Sequence, residues 1–110
     1  MSAMDESRFA ALADETLARL MEKLEDALGD RADVELQDGI LTIELERGGR
    51  YVINKHAPNR QIWLSSPVSG ATHFAYDEGW GWLDTRGTAT LGATLERELA
   101  AAAGDSIDLG

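Results

Sequence analysis

Carboxylates are concentrated in the first part of this 110-residue chain. Of the 20 acidic residues, 11 fall between Asp5 and Asp38, whereas the stretch from Arg47 to Tyr76 contains none. Clustered carboxylates with few imidazoles suit hard cations such as Mg²⁺, Ca²⁺, Mn²⁺ or iron. The sequence therefore predicts a cation-attracting element followed by a neutral-to-basic surface suited to contacting a partner.

The acidic element is predicted to be an amphipathic helix over roughly residues 5–28. Apolar residues recur at steps of three and four from Phe9 to Leu28, which is the stripe of a helix that buries one side. Carboxylates project from the opposite side; they are Asp14, Glu15, Glu22, Glu25 and Asp26. One rigid helix cannot wrap a single ion, so we expect several ions along this side, each retaining most of its water.

Charges on an exposed helix face often do no more than keep a protein soluble. Here Glu22, Glu25 and Asp26 lie toward the helix C-terminus, where the macrodipole disfavours each anion by about 0.3–1 kcal/mol. Glu22 and Asp26 are also a like-charge pair one turn apart, which costs about a few tenths of a kcal/mol. This tolerated cost favours a functional role, although the solubility interpretation stays open.

The composition excludes several functional classes. A net charge of −10 disfavours nucleic acids and anionic membrane surfaces, because both require a cationic protein surface. No apolar run approaches the roughly 20 residues that span a bilayer. No secretory or transit segment is visible after Met1, so a cytosolic protein is expected. The absence of cysteine excludes disulfides and thiolate metal sites, and no nucleophile is paired with a recognisable base for hydrolysis.

Turn residues divide the rest of the chain into short antiparallel strands. Asp38 and Gly39 are a strong hairpin signal because both tolerate positive φ. The predicted strands are 34–37, 40–46, 50–55, 61–65, 72–76 and 80–83, and a second helix is predicted over Leu91–Ala103. This order predicts a single α+β domain over residues 1–110, a two-layer α-β sandwich with both helices on one face of the sheet and the other face left to solvent.

The aromatic residues of the strand region raise separate expectations. Strand alternation groups Trp63 with polar residues, which predicts either an exposed tryptophan or one that packs under a loop. Trp80 and Trp82 are expected to pack within strands rather than to stack on a sugar. His56 and His73 are expected in turns or on the surface rather than at a metal.

The central strands resemble those of the frataxin family. The run Tyr51-Val-Ile-Asn-Lys55, the turn Pro58-Asn59 and the run Gln61-Ile-Trp-Leu-Ser-Ser-Pro67 followed by Ser69-Gly70 carry the resemblance. It extends in order and spacing to Leu12-Ala13 with the acidic helix and to Gly39-Ile-Leu-Thr-Ile43. The resemblance implies two helices packed against an antiparallel sheet of five or six strands. A start at Met1 without a transit segment resembles a bacterial, CyaY-like member.

The resemblance also implies two sets of functional residues. Iron, weakly bound, would be held by an acidic ridge, which we define as Asp14, Glu15, Glu22, Glu25, Asp26, Asp30, Asp33 and Glu35. Partner contacts would come from an exposed sheet surface that carries Asn54, Lys55, Gln61 and Trp63. Arg19 and Lys23 interrupt the ridge, so the number of ions is left open.

The function implied by the resemblance is that of a non-enzymatic iron-binding protein. It would act with a cysteine desulfurase and a scaffold protein in iron–sulfur cluster assembly. Whether it donates iron, regulates sulfur transfer or does both stays open, as does the sign of its effect on the desulfurase. The alternatives are a ferroxidase or iron-storage activity and a protein-interaction module that uses no metal. The iron-free chain is expected to be a monomer, and iron-driven oligomers are left open.

Overall fold

The computed structural model describes residues 5–104 and 106–109, so the expectation about a leader after Met1 lies outside the described residues. Helix α1 spans Glu6–Leu28 and continues into a short 3-10 helix at Gly29–Arg31, and helix α2 spans Leu91–Ala103. The strands between them are β1 (Ala32–Gln37), β2 (Ile40–Leu45), β3 (Arg50–His56), β4 (Gln61–Ser66), β5 (Gly70–Asp77) and β6 (Gly81–Asp84). Neither helix has an apolar stretch long enough to cross a lipid bilayer.

The strands form one antiparallel sheet in the order β1-β2-β3-β4-β5-β6. Each strand pairs with its neighbour in sequence, so the sheet is a simple meander. Alternate residues of the central strands, such as Leu41, Ile43 and Ile53, are buried and share one core with the apolar residues of α1 and α2. The predicted two-layer α+β architecture, with both helices on one face, is confirmed.

The helices form as their sequence patterns predict. The apolar stripe of α1 lies in the core; its residues are Phe9, Ala13, Leu17, Leu20, Leu24 and Leu28. Asp5 precedes the helix as its cap, because its Oδ1 accepts a hydrogen bond from the Arg8 backbone N–H at 2.8 Å. Helix α2 has the predicted bounds, with Thr90 as its N-cap and Gly104, at φ 76°, as its C-cap.

The β1–β2 turn is the predicted two-residue hairpin. Asp38 and Gly39 have φ values of 54° and 76°, the left-handed conformation that a type I′ turn requires at both positions. Asp33 of β1 therefore stands directly opposite Glu44 of β2. This turn decides which carboxylates of the two strands become neighbours.

The tryptophans near β6 differ in their surroundings. Trp82 is buried, and its ring meets that of Phe9 edge to face with centroids 6.0 Å apart. Trp80 lies in the turn before β6 and is 73% exposed, so the prediction that it packs within a strand is wrong. The physical reason is local, because Asp77 Oδ2 accepts a hydrogen bond from the Trp80 backbone N–H at 2.8 Å and holds it in the turn.

One carboxylate is buried between α2 and the sheet. Glu98 is 5% exposed and accepts hydrogen bonds from the hydroxyl groups of Tyr51 at 3.0 Å, Ser66 at 2.6 Å and Ser69 at 2.7 Å. Burial raises its pKa, but the hydroxyl donors outweigh burial, so the pKa of Glu98 is lower than usual. Burial, followed by the hydrogen bond to Glu98 and its charge, raises the pKa of Tyr51 to about 12.

Candidate metal ridge and docking face

The helical part of the acidic ridge is exposed along its length. Its side chains are those of Asp14, Glu15, Glu22, Glu25 and Asp26. The last turn of α1 contains no basic residue, but the Arg31 guanidinium donates hydrogen bonds to the terminal carbonyls of Ala27 and Leu28 and offsets the negative end of the macrodipole. The attraction for a cation along α1 therefore comes from the carboxylates themselves.

The ridge changes direction where α1 meets the sheet. Asp30 lies in the short helix after α1, and Asp33 and Glu35 alternate with the core-packed Val34 on edge strand β1. Successive strand residues point to opposite faces, so Asp33 and Glu35 stand on the open face of the sheet. The predicted ridge thus consists of a helical segment and a strand segment that meet at Asp30.

A groove of about 660 Å³ lies where the two segments meet. Three ridge carboxylates line it, those of Glu25, Asp30 and Asp33, together with Glu44 of β2 and Glu46 just after β2. Sequence reasoning did not assign Glu44 and Glu46 to the site. The predicted hairpin could have found Glu44, because a two-residue loop pairs it with Asp33.

Most of these carboxylates make no ion pair within the part of the chain that the structure describes. Over residues 5–104 and 106–109, no hydrogen bond or ion pair is made by the side chains of Glu15, Glu22, Glu25, Asp26, Asp30, Asp33, Glu35, Glu44 and Glu46. Within the same residues, no three carboxylate or imidazole side chains are close enough to hold one ion. Exposed oxygen donors of this kind fit hard cations, iron included, that stay largely hydrated and exchange readily.

Asp14 is different from the rest of the ridge because it is paired with a cation. Lys55 lies on the helix-facing side of β3, and its Nζ is 2.8 Å from Asp14 Oδ1. The motif that suggested a partner contact groups Lys55 with Asn54 and Trp63. The structure instead places Lys55 on the opposite face of the sheet from these two residues.

An aromatic stack stands on the open face of the sheet. The Trp63 indole lies between the imidazoles of His56 and His73, with ring centroids 3.7 and 4.1 Å away and interplanar angles of 9° on both sides. Trp63 Nε1 donates a hydrogen bond to Gln61 Oε1 at 2.8 Å. Asn54 is the cross-strand neighbour of Trp63. The indole is therefore half-buried rather than exposed, and Asn54, Gln61 and Trp63 are brought together as predicted.

Sequence reasoning missed the two histidines of this stack, which lie in strands β3 and β5 and not in turns. The turn between β4 and β5 could have indicated the contact with His73. It pairs Ser66 with Gly70, and this register makes His73 the cross-strand partner of Trp63. With both faces of the indole covered, a sugar or base has no free ring face on which to stack. The ring edges and the neighbouring amides remain for contact with a partner protein.

The chain matches the family pattern described as the frataxin-like domain over residues 2–105. It belongs to the frataxin-like family. It is 41% identical over 114 residues to mitochondrial frataxin of Arabidopsis thaliana, an alignment that covers 98% of this chain and 60% of that protein. It is 39% identical over 109 residues to the iron-sulfur cluster assembly protein CyaY of Thioalkalivibrio sulfidiphilus, covering 96% of this chain and 100% of that one. The chain thus spans less than two thirds of the plant frataxin and the full length of the bacterial protein.

Solved frataxin structures share the fold. Frataxin from Psychromonas ingrahamii gives a TM-score of 0.86 at 27% identity, covering 97% of this chain and 99% of that one. Trimeric frataxin from the yeast Saccharomyces cerevisiae, complexed with ferrous iron, gives a TM-score of 0.75 at 37% identity, covering 96% and 91% of the two chains. These comparisons confirm the resemblance to frataxin inferred from the central strands.

Proposed function

We propose that this frataxin-family protein binds iron weakly and acts in iron–sulfur cluster assembly, as an iron donor, as a regulator of a cysteine desulfurase, or as both. The observation that carries the proposal is the set of carboxylates at the groove between α1 and the β1–β2 hairpin, which make no ion pair within the described residues. The names of its frataxin and CyaY relatives support the same role.

The iron sites we propose lie along the acidic ridge and are richest at the groove. Carboxylates there would attract Fe²⁺ electrostatically and hold it mainly through its bound water. Such an ion can be passed on, since few direct ligands need to be replaced when it leaves. This mode fits a carrier of iron better than a permanent iron centre.

Iron binding at the groove can be tested by NMR during an anaerobic titration with Fe²⁺. Amide signals of residues 22–35 and of Glu44 should broaden first. The variant Asp30→Asn/Asp33→Asn should lose most of this broadening. The control Glu6→Gln/Glu78→Gln removes two negative charges at positions away from the groove, and it should retain the broadening. Broadening confined to other parts of the chain would contradict the site.

Two surfaces are proposed to contact the assembly machinery. The anionic ridge would dock against a basic patch of the cysteine desulfurase, because complementary charges steer encounter and orientation. The open sheet face with Asn54, Gln61 and Trp63 would contact the scaffold protein. A ridge-neutralised variant should lose the desulfurase in a pull-down, whereas Trp63→Ala should lose the scaffold. Retention of both partners by both variants would reject these assignments.

Reconstituted cluster assembly separates iron supply from regulation. The rate should be measured with and without this protein, at fixed cysteine and increasing iron. An effect that disappears when iron is in excess indicates supply, and one that persists indicates regulation of the desulfurase. An unchanged rate at every iron concentration would contradict both roles.

We further propose that the protein is non-enzymatic, cytoplasmic in a bacterium, and monomeric without iron. Oxygen consumption in the presence of Fe²⁺ should equal the buffer rate. An excess rate that falls when Glu22, Glu25 and Asp26 become amides would indicate a ferroxidase instead. Sedimentation with and without Fe²⁺ measures the oligomeric state, and iron-free oligomers would contradict the monomer proposal.

A further inference from the structure

Lys55 belongs to the covered side of the sheet. It stands opposite the buried Ile62 in the β3–β4 register and has the same parity as the buried Ile53. Its side chain is 26% exposed, compared with 58% for its partner Asp14. The lysine side chain thus extends from the helix-facing side of the sheet toward α1, and most of its methylene chain is packed against the protein.

The path of the Lys55 side chain is confined by the β1–β2 turn. The Lys55 backbone N–H donates to the Gly39 carbonyl at 3.0 Å. Gly39 has a φ of 76°, and a Cβ at this position would lie 3.0 Å from Lys55 Cε. The absence of a side chain at Gly39 therefore leaves the room in which the lysine stem lies. The ammonium group at its end is held 2.8 Å from Asp14 Oδ1.

The carboxylates at the two ends of the acidic ridge consequently differ in ion pairing. Asp14 has a tethered counter-ion. At the groove end, the nearby Arg31 guanidinium donates hydrogen bonds to the carbonyls of Ala27, Leu28 and Ala103. The groove carboxylates themselves are unpaired within the described residues.

We propose that Lys55 is an internal competitor that keeps divalent cations off Asp14 and confines them to the groove end of the ridge. This inference rests on the proposed cation binding by the ridge and specifies where it occurs. The ammonium group lies in contact with the Asp14 carboxylate, so a divalent cation that approaches Asp14 must displace this charge or bind beside it and be repelled.

The same geometry gives Lys55 a role distinct from docking. Its ammonium group lies on the opposite side of the sheet from the Trp63 ring. A partner that contacts the open face therefore does not contact this group. Replacing Lys55 should change the distribution of cations along the ridge and leave contacts through Asn54 and Trp63 intact.

The experiment uses Mn²⁺ as a paramagnetic probe of the full chain. Amide broadening at equal Mn²⁺ is compared between the parent protein, Lys55→Gln and Lys23→Gln. Lys23 lies on α1 and makes no ion pair within the described residues, so its removal changes the net charge without freeing Asp14. In Lys55→Gln, broadening at Asp14 and Glu15 should rise about threefold or more, because the competing charge lies in direct contact. Lys23→Gln should raise it less.

Lys55→Arg provides a rescue, since it restores the cation and should return Asp14 to the parent behaviour. Equal broadening at Asp14 in Lys55→Gln and Lys23→Gln would overturn the inference and leave the groove site standing. Strong broadening at Asp14 in the parent protein would overturn it as well. A lack of broadening at Asp30 and Asp33 in every variant would instead reject the proposed function. Unchanged amide shifts in the core establish that each variant is folded.

Discussion

The guanidinium of Arg31 donates a hydrogen bond from Nη1 to the carbonyl of Ala103 at 3.2 Å and so joins the ends of the two helices. It also donates to the carbonyls of Ala27 at 2.7 Å and Leu28 at 3.3 Å. One side chain thus caps the C-termini of α1 and α2, where backbone carbonyls lack intrahelical partners. Its positive charge also lies at the negative ends of both helix dipoles.

Arg31→Met should lower the free energy of unfolding by about 2 kcal/mol, because hydrogen bonds from a charged donor to these carbonyls are lost. Urea denaturation at neutral pH measures the effect. Arg47→Met removes a charge of the same sign from an exposed turn and should change stability by less than about 0.5 kcal/mol. Equal losses in the two variants would mean that the capping contacts contribute nothing beyond charge.

The buried Glu98 should make stability depend on acid. Its pKa in the folded state is lower than the usual 4.5, so it stabilises the protein above that value. This contribution is lost as the pH falls through the lower pKa. Urea denaturation below pH 4.5 should therefore show a shallower pH dependence in Glu98→Gln than in the parent. Glu15→Gln, at an exposed ridge position, should retain the parent slope, and a retained slope in Glu98→Gln would contradict the prediction.

The Tyr51 hydroxyl should lose its proton at a higher pH than an ordinary tyrosine. Its folded-state pKa is raised from 10.0 to about 12, so its contribution to stability is complete below pH 10 and is lost as the pH rises toward 12. The chain has two tyrosines, and Tyr76→Phe leaves Tyr51 as the only one. The tyrosinate absorbance of that variant should rise with a midpoint near 12. A midpoint near 10 would contradict both the burial of the hydroxyl group and its hydrogen bond to Glu98.

The histidines of the aromatic stack should hold Trp63 in place. His56→Ala should shift the Trp63 indole N–H signal and destabilise the protein by about 0.5–1.5 kcal/mol, because one stacked pair is lost. NMR and urea denaturation report these two effects. Ser65→Ala changes an exposed residue of the same strand as Trp63 and is the control. An unmoved indole signal in His56→Ala would contradict a positioning role for the imidazole.

Removing charge from the groove should stabilise the fold. Asp33 lies on edge strand β1 directly opposite Glu44, so Asp33→Asn should raise the free energy of unfolding by about 0.2–1 kcal/mol at low salt. The gain should shrink at high salt, where the repulsion is screened. Glu6→Gln removes a carboxylate from the favourable first turn of α1 and should not stabilise. Urea denaturation at two salt concentrations distinguishes the two variants.

The elements of this fold follow from local sequence patterns. The stripe from Phe9 to Leu28 and the caps Thr90 and Gly104 predicted both helices, because each signal depends on residues within one or two turns. Asp38 and Gly39 predicted the first hairpin for the same reason. The expected strand position of Trp80 was wrong because the hydrogen bond from its backbone to Asp77 competes with strand pairing.

The candidate site was only partly predictable. The helical carboxylates from Asp14 to Asp26 share one face by helix geometry alone, so the sequence was sufficient to place them together. Predicting the groove required the strand register of the hairpin, which places Glu44 beside Asp33. The enclosure of Trp63 by His56 and His73 required the registers of three strands.

Local patterns along the chain thus established two helices, a meander of strands and an acidic helix face, because propensity and periodicity act between near neighbours. Tertiary packing decided that Lys55 meets Asp14 rather than the open sheet face. It also decided that Glu98 meets Tyr51, and that Arg31 caps α1 and α2 together. Each of these contacts joins residues distant in sequence, and its formation depends on strand register and on how the helices lie across the sheet.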